Sequence, residues 1–251
     1  SKDRLNLPEA YMYDTGKKSW EQFASWPPKK AEKVKFYLDP SNKIGKSATT
    51  GFSEYFSDPS KPVPGSVNSA DLLGFTPRNY MTEDQRFAES RPDVASFTTD
   101  VLTEDVTLGG EIWAKMNISA TSDDTDIIVK LIDIYPEDTP EDKNKPGVIY
   151  SNYHQMVRSE IMPARFRNSF SKPEALVPGA ETAVNFRLQD VLHTFKKGHR
   201  IQIQVQSTAY PLFAVNPQKF LVNPYLAKKE DYTKAFIKVF GNSYLEADVL
   251  R

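Results

Sequence analysis

Alternating apolar and polar residues, the pattern of a β-strand with one buried face, recur along the chain. In RIQIQVQS, residues 200–207, Ile or Val takes every second position and Gln takes most of the others. We therefore expect a half-buried strand, with its aliphatic side chains in the core and its glutamines on the open face. KVKFYLD (33–39), EIWAKMNISA (111–120) and AVNFRL (183–188) alternate in the same way and predict three more such strands.

Two other patterns predict strands of different kinds. In DIIVKLIDIYP, residues 126–136, apolar residues fall on both parities, which predicts a strand covered on both faces in the middle of a sheet. In EAYMYDTGKKSWEQF, residues 9–23, two short runs flank Asp14-Thr15-Gly16, and glycine suits the tight turn of a hairpin. We expect an opening hairpin and its connection over residues 1–30.

Few helices are predicted. Helical periodicity is confined to brief candidates such as Pro224 to Phe236, and residues 41–80 are rich in Ser, Pro, Gly and Lys with little periodicity. We expect the second stretch to be a long loop that is functional or held by a partner. Recurring strands separated by Pro and Gly predict an all-β fold, a jelly-roll β-sandwich with long loops and one or two short helices. Residues 1–251 can form a single domain of this class.

The composition narrows the classes of partner. With 32 basic and 33 acidic residues the formal charge is -1, so neither a nucleic-acid nor a membrane partner is predicted. No apolar run approaches the ~20 residues of a membrane span, and the Ser-Lys-Asp start is unlike a secretory signal. We expect a soluble chain that is a mature form or a piece of a longer protein. Since the sequence has no Cys, disulfides and thiolate chemistry are excluded, and no cofactor is predicted.

No residue of the chain is predicted to be catalytic. The nucleophile elbow Gly-x-Ser-x-Gly does not occur, and its nearest fragments, around Ser47 and Ser243, lack the strand-to-helix context. His154, His193 and His199 are the candidate bases. For each we expect a structural role, with the imidazole hydrogen-bonded within the fold. An enzyme that acts alone is therefore the weakest functional interpretation.

Two acidic runs raise the alternative of a bound cation. SDDTD (122–126) and PEDTPEDKNKPG (136–147) gather oxygen atoms that calcium could use. Neither follows the calcium-loop pattern, so we expect solvated acidic hairpins and predict no metal site.

Several blocks of sequence, in order along nearly the whole chain, resemble one family of serine hydrolases. They run from YMYDTGKKSWEQFASWPP through YMTEDQRFAESRPDVASFTTDVLTEDVTLGG, DIIVKLIDIYPED, MVRSEIMPARFRNSF and VLHTFKKGHRIQIQVQSTAYPLF to VNPQKF. The resemblance is to the C-terminal domain of the X-prolyl dipeptidyl-peptidase, α-amino-acid ester hydrolase and cocaine-esterase (CocE/NonD) family. One departure is Ala214-Val215, where relatives usually carry an Asp-Arg pair before Asn-Pro-Gln, and this puts any polar contact made there in doubt.

The resemblance implies a galactose-binding-like jelly roll that follows an α/β-hydrolase domain in the same polypeptide. The family's catalytic Ser, Asp and His belong to that upstream domain, so we expect the chain alone to be inactive. The parent enzyme would form an acyl-enzyme from an X-Pro peptide, an α-amino-acid ester, a β-lactam acyl group or a simple ester. The resemblance also favours an extracytoplasmic bacterial location, periplasmic or secreted, and leaves open whether the protein is a homo-oligomer.

The charged stretch EDQRFAESRPDVASFTTD, residues 83–100, would then lie where the sandwich contacts the hydrolase domain, because guanidinium–carboxylate pairs fix register across polar interfaces. The candidate interface residues are Asp84, Gln85, Arg86, Arg91 and Asp93. The alternative is an ion-pair network internal to the sandwich.

Aromatic residues supply the other candidate sites. Tyr210 and Phe213 lie in a Pro-bounded loop after the clearest strand, and we expect them in a pocket wall, at the interface or in the core. The alternative function is a carbohydrate-binding jelly-roll module, with Trp20, Trp26 and Trp113 as candidate platforms for a sugar ring.

Overall fold

The structure is a computed structural model, and it describes residues 7–67, 79–143 and 145–250. Strands form most of the regular structure. They are β1 Ala10–Asp14, β2 Ser19–Phe23, β3 Glu32–Asp39, β4 Lys43–Gly45, β5 Phe52–Ser57, β6 Val94–Thr98, β7 Val106–Ala120, β8 Asp126–Ile134, β9 His154–Pro163, β10 Thr182–Phe195, β11 Arg200–Gln206, β12 Ala235–Phe240 and β13 Tyr244–Leu250. The helix α1 spans Arg86–Glu89, and 3-10 turns span Asn79–Met81, Ala164–Phe166, Pro224–Leu226 and Lys229–Asp231.

Apart from the β1–β2 hairpin, the strands join into one sheet that folds into two layers. The first layer centres on β7, which pairs antiparallel with β10 on one side and with β13 and β12 on the other. β3 extends this layer from β13, and β5 extends it from β12. The second layer has the order β6, β11, β8, β9. The short strand β4 links the layers, because it pairs with both β3 and β6.

The core lies between the two layers. Met116 and Leu188 from the first layer, and Phe97, Leu131 and Ile203 from the second, belong to one cluster of buried apolar side chains. Along β7, β10 and β11 the side chains of this cluster occupy mainly alternate positions, as the sequence pattern predicts. The predicted all-β sandwich fold is confirmed.

The strand predicted to be covered on both faces is also confirmed. Every residue of β8 is buried, and the strand lies between β11 and β9. It is the middle of the second layer, where an apolar sequence without alternation is expected.

The opening hairpin forms as predicted and is fastened to β10. Oδ1 of the buried Asp14 accepts hydrogen bonds from Gly16 N at 2.9 Å and Thr194 N at 3.0 Å, and the Thr194 hydroxyl donates to Oδ2 at 2.6 Å. Burial opposes the change, but these bonds together hold the pKa of Asp14 below its ordinary value. At Gly16 a Cβ would lie 1.9 Å from Thr194 O, so the turn approaches β10 too closely for any side chain.

The predicted helix from Pro224 to Phe236 is wrong. The segment forms two 3-10 turns instead, and the side chain of Asn223 caps the first by accepting a bond from Tyr225 N at 3.1 Å. From Ala235 onward the chain pairs with β5 as strand β12, so sheet pairing takes the residues that would have completed the helix. No helix of the described ranges is long and apolar enough to cross a membrane.

The stretch 41–80, for which the sequence predicts a long loop, contains β4 and β5. β4 is three residues long, which is too short for an alternating pattern to show. Residues 68–78 of this stretch lie outside the described residues.

Candidate functional site

The glutamine face of β11 is covered, against the expectation that it is open to solvent. Gln202, Gln204 and Gln206 are fully buried. Gln202 Nε2 donates to Glu89 Oε1 at 3.0 Å, across 113 residues of sequence, because the segment that carries α1 lies over this side of the second layer. The prediction of a half-buried strand is therefore wrong for β11, since a distant segment buries its polar face.

Strand register places a row of polar residues across this covered face. Ser96, Gln204, Lys130 and Ser159 lie opposite one another on β6, β11, β8 and β9. Lys130 is the one cationic member, and it is only 4% exposed. A charged side chain this deeply buried needs polar partners or an opposite charge.

The partners of the Lys130 ammonium group are few. Its Nζ donates to Gln85 Oε1 at 2.9 Å and lies 5.4 Å from the ring centroid of Phe87. Burial lowers the pKa of Lys130 to about 8, and the charge of Glu83 opposes that change. The side chain is therefore mostly protonated at neutral pH.

A cavity of about 470 Å³ opens beside Lys130. Met156, Leu212 and Phe213 supply apolar parts of its wall, and Gln85 lines it with Lys130. Its volume lies within the range of pockets that hold small molecules.

The two predicted aromatics differ in position. Phe213 lines the cavity. Tyr210 is 50% exposed and does not line it, although its carbonyl oxygen accepts a bond from Gly65 N, a lining residue, at 2.8 Å. Only Phe213 is thus placed directly in a pocket wall.

The predicted interface charges form local pairs. Arg86 Nε donates to Asp84 Oδ2 at 2.6 Å, and Arg91 donates to both carboxylate oxygens of Asp93 at 2.8 Å. Gln85 is buried and joins this segment to Lys130. These pairs lie within the sandwich, and both guanidinium side chains remain partly exposed, 39% for Arg86 and 34% for Arg91.

The first acidic run is buried, so the prediction of a solvated hairpin is wrong there. Asn216 Nδ2 donates to Asp126 Oδ1 at 2.8 Å and Asp124 Oδ2 at 3.1 Å, and Arg165 Nε donates to Asp124 Oδ2 at 2.8 Å. Burial raises the pKa of Asp124 despite Arg165, and it raises the pKa of Asp126 to about 7. Sequence analysis missed this network because its basic and amide partners lie 41 and 92 residues from Asp124.

The second acidic run differs from the first. Glu137, Asp138 and Glu141 are exposed, as predicted for a solvated hairpin. Among the described residues no group of three or more His, Asp or Glu side chains is arranged to hold a metal ion.

His193 and His199 are hydrogen-bonded within the fold, as expected for structural side chains, whereas Nδ1 of the buried His154 has no hydrogen-bond partner among the described residues. Asp133 joins two of them, with Oδ2 at 3.2 Å from His193 Nε2 and Oδ1 at 2.8 Å from His199 Nδ1. The other ring nitrogen of His193 lies 2.8 Å from Thr15 Oγ1 in the hairpin. His154 is buried, and this burial lowers its pKa.

Among the described residues, no two of the three tryptophan rings are in contact with each other. Trp26 Nε1 donates to Asp190 Oδ2 at 2.9 Å, and the ring of Trp113 lies 4.5 Å from Lys115 Nζ. Trp20 is 59% exposed, and its ring stacks on that of Tyr11 with centroids 5.0 Å apart.

Ser47 and Ser243, from the two fragments nearest to a nucleophile elbow, lack the surroundings of a nucleophile. Ser243 is buried, and its hydroxyl accepts a bond from Asn117 N at 2.9 Å and donates to Asn117 O at 3.0 Å. Ser47 lies in an exposed turn. Neither hydroxyl has a histidine among its described hydrogen-bond partners.

The chain matches a family model described as the X-Pro dipeptidyl-peptidase C-terminal non-catalytic domain over residues 5–232. A curated relative, the cocaine esterase of Rhodococcus sp. (strain MB1 Bresler), is 26% identical over 221 residues, which cover 84% of this chain and 36% of the esterase.

Two solved structures are similar over 98% of this chain. One is an aminopeptidase from the marine sediment archaeon Thaumarchaeota archaeon, with a TM-score of 0.90, 32% identity and 41% of its own length covered. The other is a selenomethionine-labelled α-amino acid ester hydrolase, with a TM-score of 0.87, 34% identity and 42% of its length covered. The chain thus spans well under half the length of each of these relatives.

Proposed function

Because the chain belongs to the family of X-Pro dipeptidyl-peptidase C-terminal non-catalytic domains, we propose that it packs on an α/β-hydrolase domain of the same polypeptide and helps to shape the substrate cleft of that domain. It corresponds to 36% of the cocaine esterase and 42% of the ester hydrolase, which leaves room in a parent protein for such a domain. The parent would cleave ester or amide bonds through an acyl-enzyme.

The observation that carries the proposal is the position of two predicted contact sets that are distant in sequence. Gln85, from the charged stretch, and Phe213, from the aromatic loop, line the same cavity. Asp84 forms an isolated bridge with Gln155, another lining residue. A concave site bordered by charged groups and an aromatic ring is a suitable surface for a second domain that carries a substrate cleft.

The charged residues in the segment that carries Gln85 support the same proposal. Arg86 and Arg91 are each held by an aspartate two residues away, and each keeps further N–H groups for a partner. A guanidinium group already fixed in direction loses little conformational entropy when it binds a carboxylate across an interface.

The first test compares this chain with a longer polypeptide that includes the preceding domain. We expect only the longer polypeptide to hydrolyse a p-nitrophenyl ester and to be blocked by a serine-directed inhibitor. Inhibitor-sensitive turnover by the 251-residue chain would show that a nucleophile lies within it.

The second test addresses the contact between the domains. In the longer polypeptide, Arg86→Ala combined with Arg91→Ala is expected to loosen domain association in limited proteolysis and to lower ester hydrolysis. In the chain alone, loss of Arg86 should change the thermal stability little, because partly exposed ion pairs contribute less than ~1 kcal/mol, whereas loss of Arg91 should cost more because its partner Asp93 is buried. The matched control is Lys43→Ala, which removes an exposed pair with Asp100. Unchanged association and activity in the double variant would remove the interface role.

The cleft-shaping part of the proposal has its own test. In the longer polypeptide, Phe213→Ala and Tyr210→Ala should change the ratio of kcat/KM between two esters and leave the melting temperature nearly unchanged. The opposite pattern would assign both aromatics to packing.

Carbohydrate binding is the second candidate, and the exposure of Trp20 is the observation that favours it. Titration with simple sugars should then change tryptophan fluorescence in the native chain and not in Trp20→Ala. A native chain whose fluorescence does not respond to sugars would exclude this function.

A further inference from the structure

Lys130 supplies a buried cation to the wall of the cavity. Among the described residues no carboxylate forms an ion pair with this ammonium group, and the hydrogen bond that it makes there goes to the neutral amide oxygen of Gln85. The charge of Glu83 acts to raise the pKa of Lys130. The carboxylate oxygens of Glu83, however, accept bonds from Ser66 Oγ at 3.0 Å and Val67 N at 3.2 Å. An ammonium group has three donors, so Lys130 keeps donors for a ligand.

The other charged groups around the cavity are already engaged. Arg158 donates to Asp190 O at 2.7 and 2.9 Å, and Glu160 Oε1 accepts a bond from Ile161 N at 3.0 Å. Lys130, Arg158 and Glu160 are the charged residues among the described lining, and Glu83, which is not part of that lining, acts on Lys130 through its charge. One ammonium group with unused donors suits a single negative charge, whereas a phosphate dianion would need further free cations.

The remaining walls define the body of the ligand. Met81, Met156, Leu212 and Phe213 supply apolar surface, and methionine side chains adapt to ligands of different shape. Gln155 and Gln189 also line the cavity and carry amides that can bond to a second polar group. A cavity of about 470 Å³ accommodates a ligand of roughly ten to fifteen non-hydrogen atoms.

We propose that this cavity binds a free carboxylic acid with an apolar body, and that the carboxylate pairs with the ammonium group of Lys130. The ligand places its anionic group at Lys130 and its apolar part against Leu212 and Phe213. Every group named lies in this chain, but the cavity is the one that the proposed hydrolase domain would contact, so in the longer polypeptide the site requires that this contact leave the cavity open.

The probe is 3-phenylpropionate, and the matched probe is 3-phenylpropanamide, which has nearly the same shape and no charge. Calorimetric titration of the native chain near neutral pH should show the acid binding at least about tenfold more tightly than the amide, since charge-assisted bonds in a buried site are the strong ones. Inorganic phosphate should not compete. Equal affinity for acid and amide, or no binding of either, would overturn the proposal.

The variant Lys130→Met keeps the apolar stem and removes the charge. It should therefore bind the acid and the amide with about equal affinity. Lys115→Met is the matched control: this lysine lies over Trp113 on β7, and its loss should leave the preference intact. Retained preference in Lys130→Met would contradict the assignment. If that variant melts below the assay temperature, the ¹⁵N shift of the lysine ammonium groups in the native chain decides, because one should move with the acid and not with the amide.

The source of the carboxylate is tested with the longer polypeptide. Binding of 3-phenylpropionate there, at an affinity like that of this chain, supports a free acid. Binding to this chain and not to the longer polypeptide would overturn the free-acid assignment and indicate that a carboxylate side chain of the other domain fills the cavity.

Discussion

Replacement of Asp126 by Asn should make the protein more stable at alkaline pH. Asp126 begins β8, is 6% exposed, and accepts a hydrogen bond from Asn216 Nδ2 at 2.8 Å. Burial raises its pKa to about 7, and the neighbouring charge of Asp124 adds to the effect. An asparagine has the same shape and keeps an oxygen acceptor for Asn216, so Asp126→Asn removes the ionisation and little else.

The sign and size of the effect follow from the two pKa values. An aspartate in the unfolded chain titrates near ~3.9, so the folded protein binds this proton more tightly between that pH and about 7. The corresponding stability is fully present below the unfolded pKa and is lost as pH rises through the folded pKa. With these values the native protein loses roughly 1–2 kcal/mol by pH 5 and roughly 4 kcal/mol by pH 8.5, whereas the asparagine variant loses none from this position.

The assay is urea unfolding of both proteins at a series of pH values, with the slope m checked for constancy. The stability of the variant relative to the native chain should rise by roughly 2–3 kcal/mol between pH 5 and pH 8.5. Asp124→Asn is the control, because it should lower the free energy of unfolding. It leaves the buried Arg165 without its carboxylate and should cost about 3–5 kcal/mol. A difference curve for Asp126→Asn that is flat with pH would refute the reasoning.

Three further substitutions test the packing of the sandwich. Gly16→Ala should destabilise the chain by about 1–3 kcal/mol or more and raise hydrogen exchange in β1 and β2, because the new Cβ would lie 1.9 Å from Thr194 O; an unchanged melting temperature would contradict this contact. Tyr55→Phe should cost about 1 kcal/mol in urea unfolding, since it removes the buried bond at 2.9 Å to the Ser207 hydroxyl; a more stable variant would be inconsistent with that bond. Ile203→Ala should cost about 2–5 kcal/mol because Ile203 is fully buried, and a loss under 1 kcal/mol would place it outside the core.

The strands of the sandwich could be predicted because their signal is local. Parts of β7, β10 and β11 alternate apolar and polar residues, and β8 carries apolar residues at both parities. Both patterns depend only on the geometry of a strand, in which successive side chains point to opposite faces. The short strand β4 has three residues, which are too few for either pattern.

What covers each face could not be predicted in the same way. The alternation in β11 shows which side chains share a face, but the cover over Gln202 comes from Glu89, 113 residues earlier. Likewise, Asp124 is buried because Arg165 and Asn216 reach it from distant segments. Polar residues are mostly exposed in folded proteins. A prediction made from neighbouring residues in the sequence therefore places these side chains in solvent unless the distant partner is known.

The candidate site, too, could be predicted only in part from the sequence. The aromatic loop was recognised from sequence, and Phe213 lies in the cavity wall. Lys130 was not recognised, although a lysine inside the apolar run DIIVKLIDI is itself a signal. In a strand covered on both faces such a lysine has no route to solvent, so it must have a partner inside the fold or a ligand. The identity of that partner depends on tertiary contacts with Gln85.

The carboxylate of Asp133 determines which nitrogen carries the proton in two imidazole rings. An ionised carboxylate can only accept hydrogen bonds, so a neutral His193 carries its proton on Nε2 and a neutral His199 carries its proton on Nδ1. The Thr15 hydroxyl must then donate to the bare Nδ1 of His193. The two rings are opposite tautomers, which NMR distinguishes through their ring-nitrogen resonances. Because Thr15 lies in the β1–β2 turn, the resonance of the bare Nδ1 of His193 shifts when this bond is lost, and it therefore reports whether the hairpin is seated on the sandwich.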